Sequence, residues 1–309
     1  VRLVVVDISS MTWQRVLTAL ALIPFVVGIV LYTPTWAVAI AVAVITVVAL
    51  WEYFALGDAI GHRAYRLWTT LCALLLVLLQ WRSTQIFSRL SYSLAPINSL
   101  GGPPSIVASA RQTATLYSPT FLLFVFVLGL TCLTLWTRRV LVEALPAAGI
   151  SSSAFLLVAF PLSYAVQLHG FHNDGPKILL FALVITWAAD STAYFVGRAI
   201  GKYPLAPRIS PNKTWEGSIG SMFGSLAVAY AFSFWIKIPL PHLLAMAVLG
   251  NIAGQMGDLL ESAYKRSAGV KDSGSLLPGH GGILDRIDAL ILCFPVIWYY
   301  LVLVNPTSL

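Results

Sequence analysis

Runs of about twenty apolar residues, separated by short polar stretches, recur along most of this 309-residue chain. A bilayer core about 30 Å thick needs about 20 such residues per crossing helix, and a helix satisfies its own backbone hydrogen bonds in lipid. The expected fold class is therefore all-α, a polytopic integral membrane protein of about nine transmembrane helices. The expected spans are 16–32, 36–56, 67–81, 119–137, 151–168, 178–200, 217–236, 240–262 and 286–304, the third being the shortest. Composition agrees, with 58% hydrophobic and 10% charged residues against about 45–50% and about 25% in soluble domains. Span one reads as permanent rather than as a signal peptide. No small-residue cleavage site closes it, and the second span follows within a few residues.

Cytoplasmic loops of membrane proteins hold the Lys/Arg excess. With the N-terminus inside, fourteen of the 19 basic residues fall on inner segments and five on outer ones. Three of those five lie in one long outer segment, 82–118, where Pro96, Gly101, Gly102, Pro103 and Pro104 signal a loop. The net charge of +7 thus reads as inner-face anchoring rather than as a nucleic-acid surface. Cys72, Cys132 and Cys293 stand singly in apolar stretches, which excludes a disulfide framework or a CxxC zinc site and leaves them as small core residues. No internal repeat supports an inverted-repeat transporter. The expected organisation is an N-terminal membrane scaffold over 1–117, middle membrane helices over 118–185, and a C-terminal catalytic membrane region over 186–309.

Residues 190–288 carry nine Lys/Arg and seven Asp/Glu. Charge near membrane depth is costly, so a two-sign cluster there points to a site. Asp190 lies inside an otherwise apolar span. Arg208, Ser210 and Lys213 belong to a loop that runs into a helix start at Trp215, where free backbone N–H groups suit a phosphate. Asp258, Glu261, Ser262 and Lys265 fall at i, i+3, i+4 and i+7, on one helix face. Arg266, Lys271 and Asp272 follow, then the turn Pro278-Gly279-His280-Gly281-Gly282, whose missing side chains let amides approach an anion closely. Asp285, Arg286 and Asp288 open the last span. Two carboxylates across a glycine-rich loop, interleaved with cations, suggest a metal–polyphosphate site, because Mg²⁺ is usually held by one or two carboxylates plus substrate phosphates. His280 reads as a turn-holding residue before it reads as an acid–base catalyst. The pairs Gly220/Gly224 and Gly250/Gly254 read as close helix packing.

The run Ser262-Ala-Tyr-Lys265-Arg266, then Lys271-Asp272, then Leu277 through Asp288 with Pro278-Gly279-His280-Gly281-Gly282 and Asp285-Arg286 inside it, resembles the signature of the phosphatidate cytidylyltransferase family. The resemblance extends upstream through Gly257-Asp258, Ser210 to Thr214, and Asp190 to Phe195, and so covers about 186–290. Tyr264, the long 82–118 segment and the ten residues before Met11 depart from the pattern.

That resemblance implies transfer of the cytidylyl group of CTP onto phosphatidate, giving CDP-diacylglycerol and pyrophosphate, with Mg²⁺ required and a second metal ion allowed. A phosphomonoester carries a charge of about −1.5 to −2 at neutral pH, so the nucleophile needs little help from a base. The obstacle is repulsion between two polyanions, which metal and basic groups offset while aligning attack. Asp258 and Asp285 are therefore expected to bind metal, with Asp190 and Asp288 in support. Lys213, Lys265, Arg266, Lys271 and Arg286 are expected to clamp phosphates. Arg208, Ser210, Asp272, His280 and the Gly281-Gly282 backbone are expected to assist substrate binding. The expected setting is a bacterial inner membrane, with the site facing the cytoplasm, where CTP is, and phosphatidate in the bilayer. A homodimer is compatible with this reading. The alternatives are another CTP-using lipid enzyme, such as a polyprenol kinase or an archaeal ether-lipid cytidylyltransferase, and a transporter, which would leave the glycine-rich two-sign loops unexplained.

Overall fold

The computed structural model describes residues 22–98, 119–137, 140–171, 174–276 and 281–304. In chain order the helices are α1 (Leu22–Tyr32), α2 (Thr35–Ala59), α3 (Arg66–Asn98), α4 (Pro119–Trp136), α5 (Leu141–His169), α6 (Gly175–Ile200), α7 (Trp215–Phe232), α8 (Leu240–Ser267) and α9 (Leu284–Val304). Among the described residues the one sheet is a two-stranded antiparallel hairpin, β1 (Pro204–Ala206) with β2 (Ser210–Thr214). The fold is all-α with long apolar helices, as the apolar runs require.

Among the described residues seven helices are long and apolar enough to cross a membrane: α2, α3 over Arg66–Gln85, α4, α5, α6, α8 and α9. The expected first span is described only from Leu22 onward, as the short α1. The expected seventh coincides with α7, whose glycines and serines leave it less apolar than the other seven. Helix α3 runs to Asn98, well past the expected end at 81. Nothing between Arg82 and Ala95 is glycine or proline, so no residue there interrupts the backbone ladder. The expected outer segment is therefore helical at its start, and its remainder, 99–118, lies outside the described residues.

Small residues set the close approach of the C-terminal helices. A Cβ at Gly220 would stand 2.7 Å from Val196 on α6, and one at Gly224 would collide with Thr192. Gly250 faces Ile185 and Cys293, and Gly254 faces Ala289. Both glycine pairs thus serve packing. Between α7 and α8 runs a ladder of side-chain hydrogen bonds: Asn251 Nδ2 donates to Ser225 Oγ at 2.8 Å, Ser221 Oγ to Asn251 Oδ1 at 3.2 Å, and Gln255 Nε2 to Ser221 Oγ at 3.0 Å. Polar groups without water must find each other in this way. The ladder fixes α7, and with it β2, against α8. Cys72 and Cys293 are buried, and all three cysteines are free thiols.

Helix α5 widens into a π turn over Phe155–Ala159. Pro161 follows it and has no N–H to donate back into that turn. Just before this turn α5 is tied to α2, where Tyr53 Oη donates to Ser153 Oγ at 2.9 Å, and to Tyr65, whose N–H donates to Ser151 Oγ at 2.8 Å. These ties hold the C-terminal end of α2 beside the ends of α8 and α9.

Candidate active site

The ends of α6, α8 and α9 that carry charge lie together, with the hairpin beside them. Thr214 closes β2 and caps α7, its hydroxyl accepting from Gly217 N–H at 3.1 Å. That cap is the local device that turns the expected phosphate loop into a strand feeding a helix. Lys213, one residue earlier, forms an ion pair with Asp258 of α8. Asp258 also accepts from Ser262 Oγ at 3.4 Å, one turn on. Asp190 of α6 is exposed and feels the charges of Asp258, Lys213 and Arg286. Asp288 of α9 faces Asp258, Glu261 and Asp190. Asp190, Asp258, Asp288, Lys213 and Arg286 therefore form one electrostatic group, drawn from four elements and open to solvent at Asp190 and Arg286.

A second group lies one helical turn away. Lys265 Nζ donates to Asp285 Oδ1 at 2.6 Å and forms an ion pair with Glu261. Asp285 also accepts from the N–H groups of Ser273, at 3.2 and 3.0 Å to its two oxygens, and of Gly282 at 2.8 Å. The side chains of Lys265, Glu261 and Asp285 are only 11%, 6% and 7% exposed. Among the described residues Glu261 Oε1 has no hydrogen-bond partner, and Oε2 meets Lys265 as an ion pair. Helix α8 thus supplies Asp258 to the open group and Glu261 to the closed one, and α9 supplies Asp288 and Asp285 in the same way. Gly257 lets the two helices meet here, since a Cβ on it would strike the carbonyl oxygen of Asp288.

The remaining expected residues distribute around these groups. Arg266 is exposed and ties two segments together, its Nε donating to Ile209 O and its Nη1 to Val270 O, each at 3.3 Å. Arg208 occupies the hairpin turn and Ser210 opens β2. Lys271 and Asp272 are exposed just beyond α8. Gly281 takes the left-handed conformation, φ +79°, that favours glycine. His280, with Leu277 to Gly279, lies outside the described residues.

Sequence reasoning missed Glu52 of α2. Its carboxylate accepts from Ser273 Oγ at 3.0 Å and from the backbone N–H groups of Ile283 at 2.9 Å and Leu284 at 2.7 Å. It thereby caps α9 across more than two hundred residues of sequence. The signal was present, because Glu52 is an acidic residue within an apolar run, as Asp190 is, and such residues are site candidates by default.

The donor set suits a hard cation. Among the described residues no three His, Cys, Asp or Glu side chains form a ready-made metal cage. Mg²⁺ does not need one, being held by one or two carboxylates with phosphates and waters completing its shell. Oxygen donors at Asp258, Asp190 and Asp288, next to the cations a triphosphate would meet, fit that chemistry.

The sequence is similar to known ones. A sequence model of the cytidylyltransferase family matches residues 13–304. The chain is 39% identical over 176 residues to the phosphatidate cytidylyltransferase of Bacillus subtilis (strain 168), covering 55% of this chain and 65% of that protein. It is 43% identical over 150 residues to the enzyme of that name from Staphylococcus haemolyticus and 41% identical over 150 residues to that from Staphylococcus aureus, covering 48% of this chain and 56% of each relative. The matched part thus spans between half and two thirds of the length of these curated relatives. The family match, by contrast, takes in every described helix, including α2 with Glu52, and the residues of both charged groups. This chain belongs to the cytidylyltransferase family.

Proposed function

We propose that the chain is a phosphatidate cytidylyltransferase, which joins the phosphate of phosphatidate to the α-phosphorus of CTP and releases pyrophosphate. The observation that carries this reading is the pair of lysine–aspartate contacts, Lys213 with Asp258 and Lys265 with Asp285, brought to one end of the helix bundle from β2, α8 and α9. A phosphate oxygen of phosphatidate forms the new bond to the α-phosphorus while the bond from that phosphorus to the bridging oxygen breaks. Both reacting groups are anions, so the site must supply charge and alignment rather than a base.

In this reading Lys213, Lys265, Arg266, Lys271 and Arg286 meet phosphate oxygens, with Arg208, Ser210 and the Gly281-Gly282 turn in support. Asp258 and Asp285 are the principal carboxylates for Mg²⁺, with Asp190 and Asp288 behind them. When bound, Mg²⁺ offsets charge on the triphosphate and polarises the α-phosphoryl group. Asp258 holds Lys213 in place, and Asp285 holds Lys265, so each ammonium is kept at the site rather than ranging over its rotamers. Asp272 and His280 complete the substrate-facing set.

The inner face of a bacterial cell membrane, N-terminus inside, is the setting that fits. The basic residues of 62–66, 198–213 and 265–286 then lie on the cytosolic side with CTP, while the acyl chains of phosphatidate remain in the bilayer. The test is cytidylyl transfer from labelled CTP to phosphatidate by purified protein in detergent, with and without Mg²⁺. Labelled lipid with equimolar pyrophosphate, dependent on Mg²⁺, is the expected result. A protein that binds CTP and labels a polyprenol or an ether lipid but not phosphatidate would move the reading to another acceptor.

A further inference from the structure

The backbone amides of 282–284, where α9 begins, hold carboxylates that belong to the protein. Gly282 N–H is bonded to Asp285, and the next two amides, Ile283 and Leu284, are bonded to Glu52. The N-terminus of α9, with its positive dipole end, is thus capped by a carboxylate from α2. Two glycines make room for it. A Cβ at Gly274 would stand 2.7 Å from Glu52 Oε1, and one at Gly282 would collide with both Glu52 Oε2 and Ser273 Oγ. Gly282 is buried and its φ is not in the left-handed region, so its lack of a side chain answers to space rather than to backbone conformation.

Glu52 and Asp285 share their partners. Ser273 gives its hydroxyl to Glu52 and its N–H to Asp285, while Gly282 and Ile283, adjacent in sequence, bond one carboxylate each. Ser273, Gly282 and the first residues of α9 are therefore clamped between two carboxylates, and Asp285 in turn holds Lys265. Among the described residues Glu52 makes no hydrogen bond or ion pair with Lys265 or with the open group; what it fixes is the backbone from which Asp285 projects.

We propose that Glu52 is a positioning residue, whose carboxylate ties Ser273 and the first amides of α9, Ile283 and Leu284, to α2 and so sets the Asp285–Lys265 pair for the transfer step. The inference rests on the cytidylyltransferase reading for its consequence and on geometry alone for the tie. A side chain that orients others acts on the aligned state more than on ground-state binding. Glu52→Gln keeps the shape and one acceptor oxygen but loses the charge and the second acceptor. Glu52→Asp keeps the charge with a shorter reach.

The experiment measures two things on full-length protein in detergent. Amide hydrogen exchange without substrate, read over 273–285, reports the tie; kcat and KM for CTP and for phosphatidate report its consequence. Expected for Glu52→Gln are faster exchange confined to 273–285 and a fall in kcat of about tenfold to a hundredfold, with KM for CTP within about threefold of wild type. Glu52→Asp is expected to lie between the two in both readouts. Wild-type exchange over 273–285, or wild-type kcat, in folded Glu52→Gln would overturn the inference. So would accelerated exchange spread evenly over the helices with kcat falling only as folded protein is lost, since that is general destabilisation. If Glu52→Gln does not fold, the same outcomes are read on Glu52→Asp. A wild-type protein that fails to label phosphatidate would remove the functional reading while the exchange data still decide the tie.

Discussion

Two lysine–aspartate pairs meet at one end of the helix bundle, Lys213 of β2 with Asp258 of α8 and Lys265 of α8 with Asp285 of α9, and they differ in almost everything but residue type. Lys213 and Asp258 are 29% and 26% exposed, and their neighbours Asp190 and Arg286 are open to solvent. Lys265 and Asp285 are nearly closed off, and Asp285 accepts from Lys265, Ser273 and Gly282. A carboxylate in the open group can exchange its partner for a ligand at low cost. One in the closed group would have to release donors that already satisfy it, and unpaired buried charge is expensive. The difference teaches that one residue pairing can stand in two states: the open pair can take a ligand as it stands, while the closed pair, in the proposed reading, takes one only by giving up donors that it already holds.

The largest expected effect breaks the comparison on its open side. Asp258→Ala should lower cytidylyl transfer by about 10²–10³-fold or more, with thermal unfolding in detergent close to wild type. Asp285→Ala should also lose turnover, but with a clear loss of thermal stability, because it leaves Lys265 beside one carboxylate and frees the Ser273 and Gly282 amides. Equal stability of the two variants would erase the distinction between the groups. Wild-type turnover in either would remove that aspartate from the proposed machinery.

The next effect sharpens the comparison through the lysines. Lys265→Met leaves Glu261 and Asp285 facing each other without their cation, and breaking a buried pair in this way costs about 3–5 kcal/mol. Lys213→Met removes a half-exposed partner, for which about 0–1 kcal/mol is the ordinary range. Both variants should lose activity, and only the first should unfold at markedly lower temperature. Adding Glu261→Gln to Lys265→Met should recover part of the stability and none of the activity.

Gly257 tests the helix crossing that separates the two groups. A Cβ there meets the Asp288 carbonyl, which is backbone and cannot swing aside. Gly257→Ala should therefore push α8 from α9, at an overpacking cost of about 1–3 kcal/mol, and lower kcat by displacing Asp258 relative to Asp288. Gly269→Ala offers a contrast, since open space surrounds that position but its φ is +71°; its effect should come from backbone strain alone and leave kcat near wild type.

Much of this was readable from the residues, and the part that was not has a physical reason. The i, i+3, i+4, i+7 face from Asp258 to Lys265 appears in the structure because helical spacing is local and survives any tertiary context. The glycine pairs were legible for the same reason. The long reach of α3 to Asn98 was not, since proline and glycine beyond 95 signalled a loop that begins later than expected. The strand over Ser210–Thr214 read as loop, because a five-residue strand with one partner carries no periodic signal. Glu52 was hardest. It meets the turn through contacts that join α2 to residues beyond 270, and only its position as a charge in an apolar run marked it. The glycines at 274 and 282 carried half of that information, but spacing alone does not say whether the anion they admit is a phosphate or a carboxylate of the chain.

The smallest expected effect concerns Ser262, which opens the family signature yet makes the weakest contact in the site. Its hydroxyl lies 3.4 Å from Asp258 Oδ1, at the outer limit for a hydrogen bond, and Asp258 is already paired with Lys213. An O–H to carboxylate bond of ordinary length is 2.5–3.0 Å, so little energy resides in this one. Ser262→Ala should change stability by less than about 0.5 kcal/mol and kcat by no more than about threefold. A loss of tenfold or more, with unchanged unfolding temperature, would mean that the hydroxyl serves a substrate rather than Asp258. The open group would then extend a full turn along α8 toward Lys265, and the boundary between the open pair and the closed one would have to be drawn further along that helix.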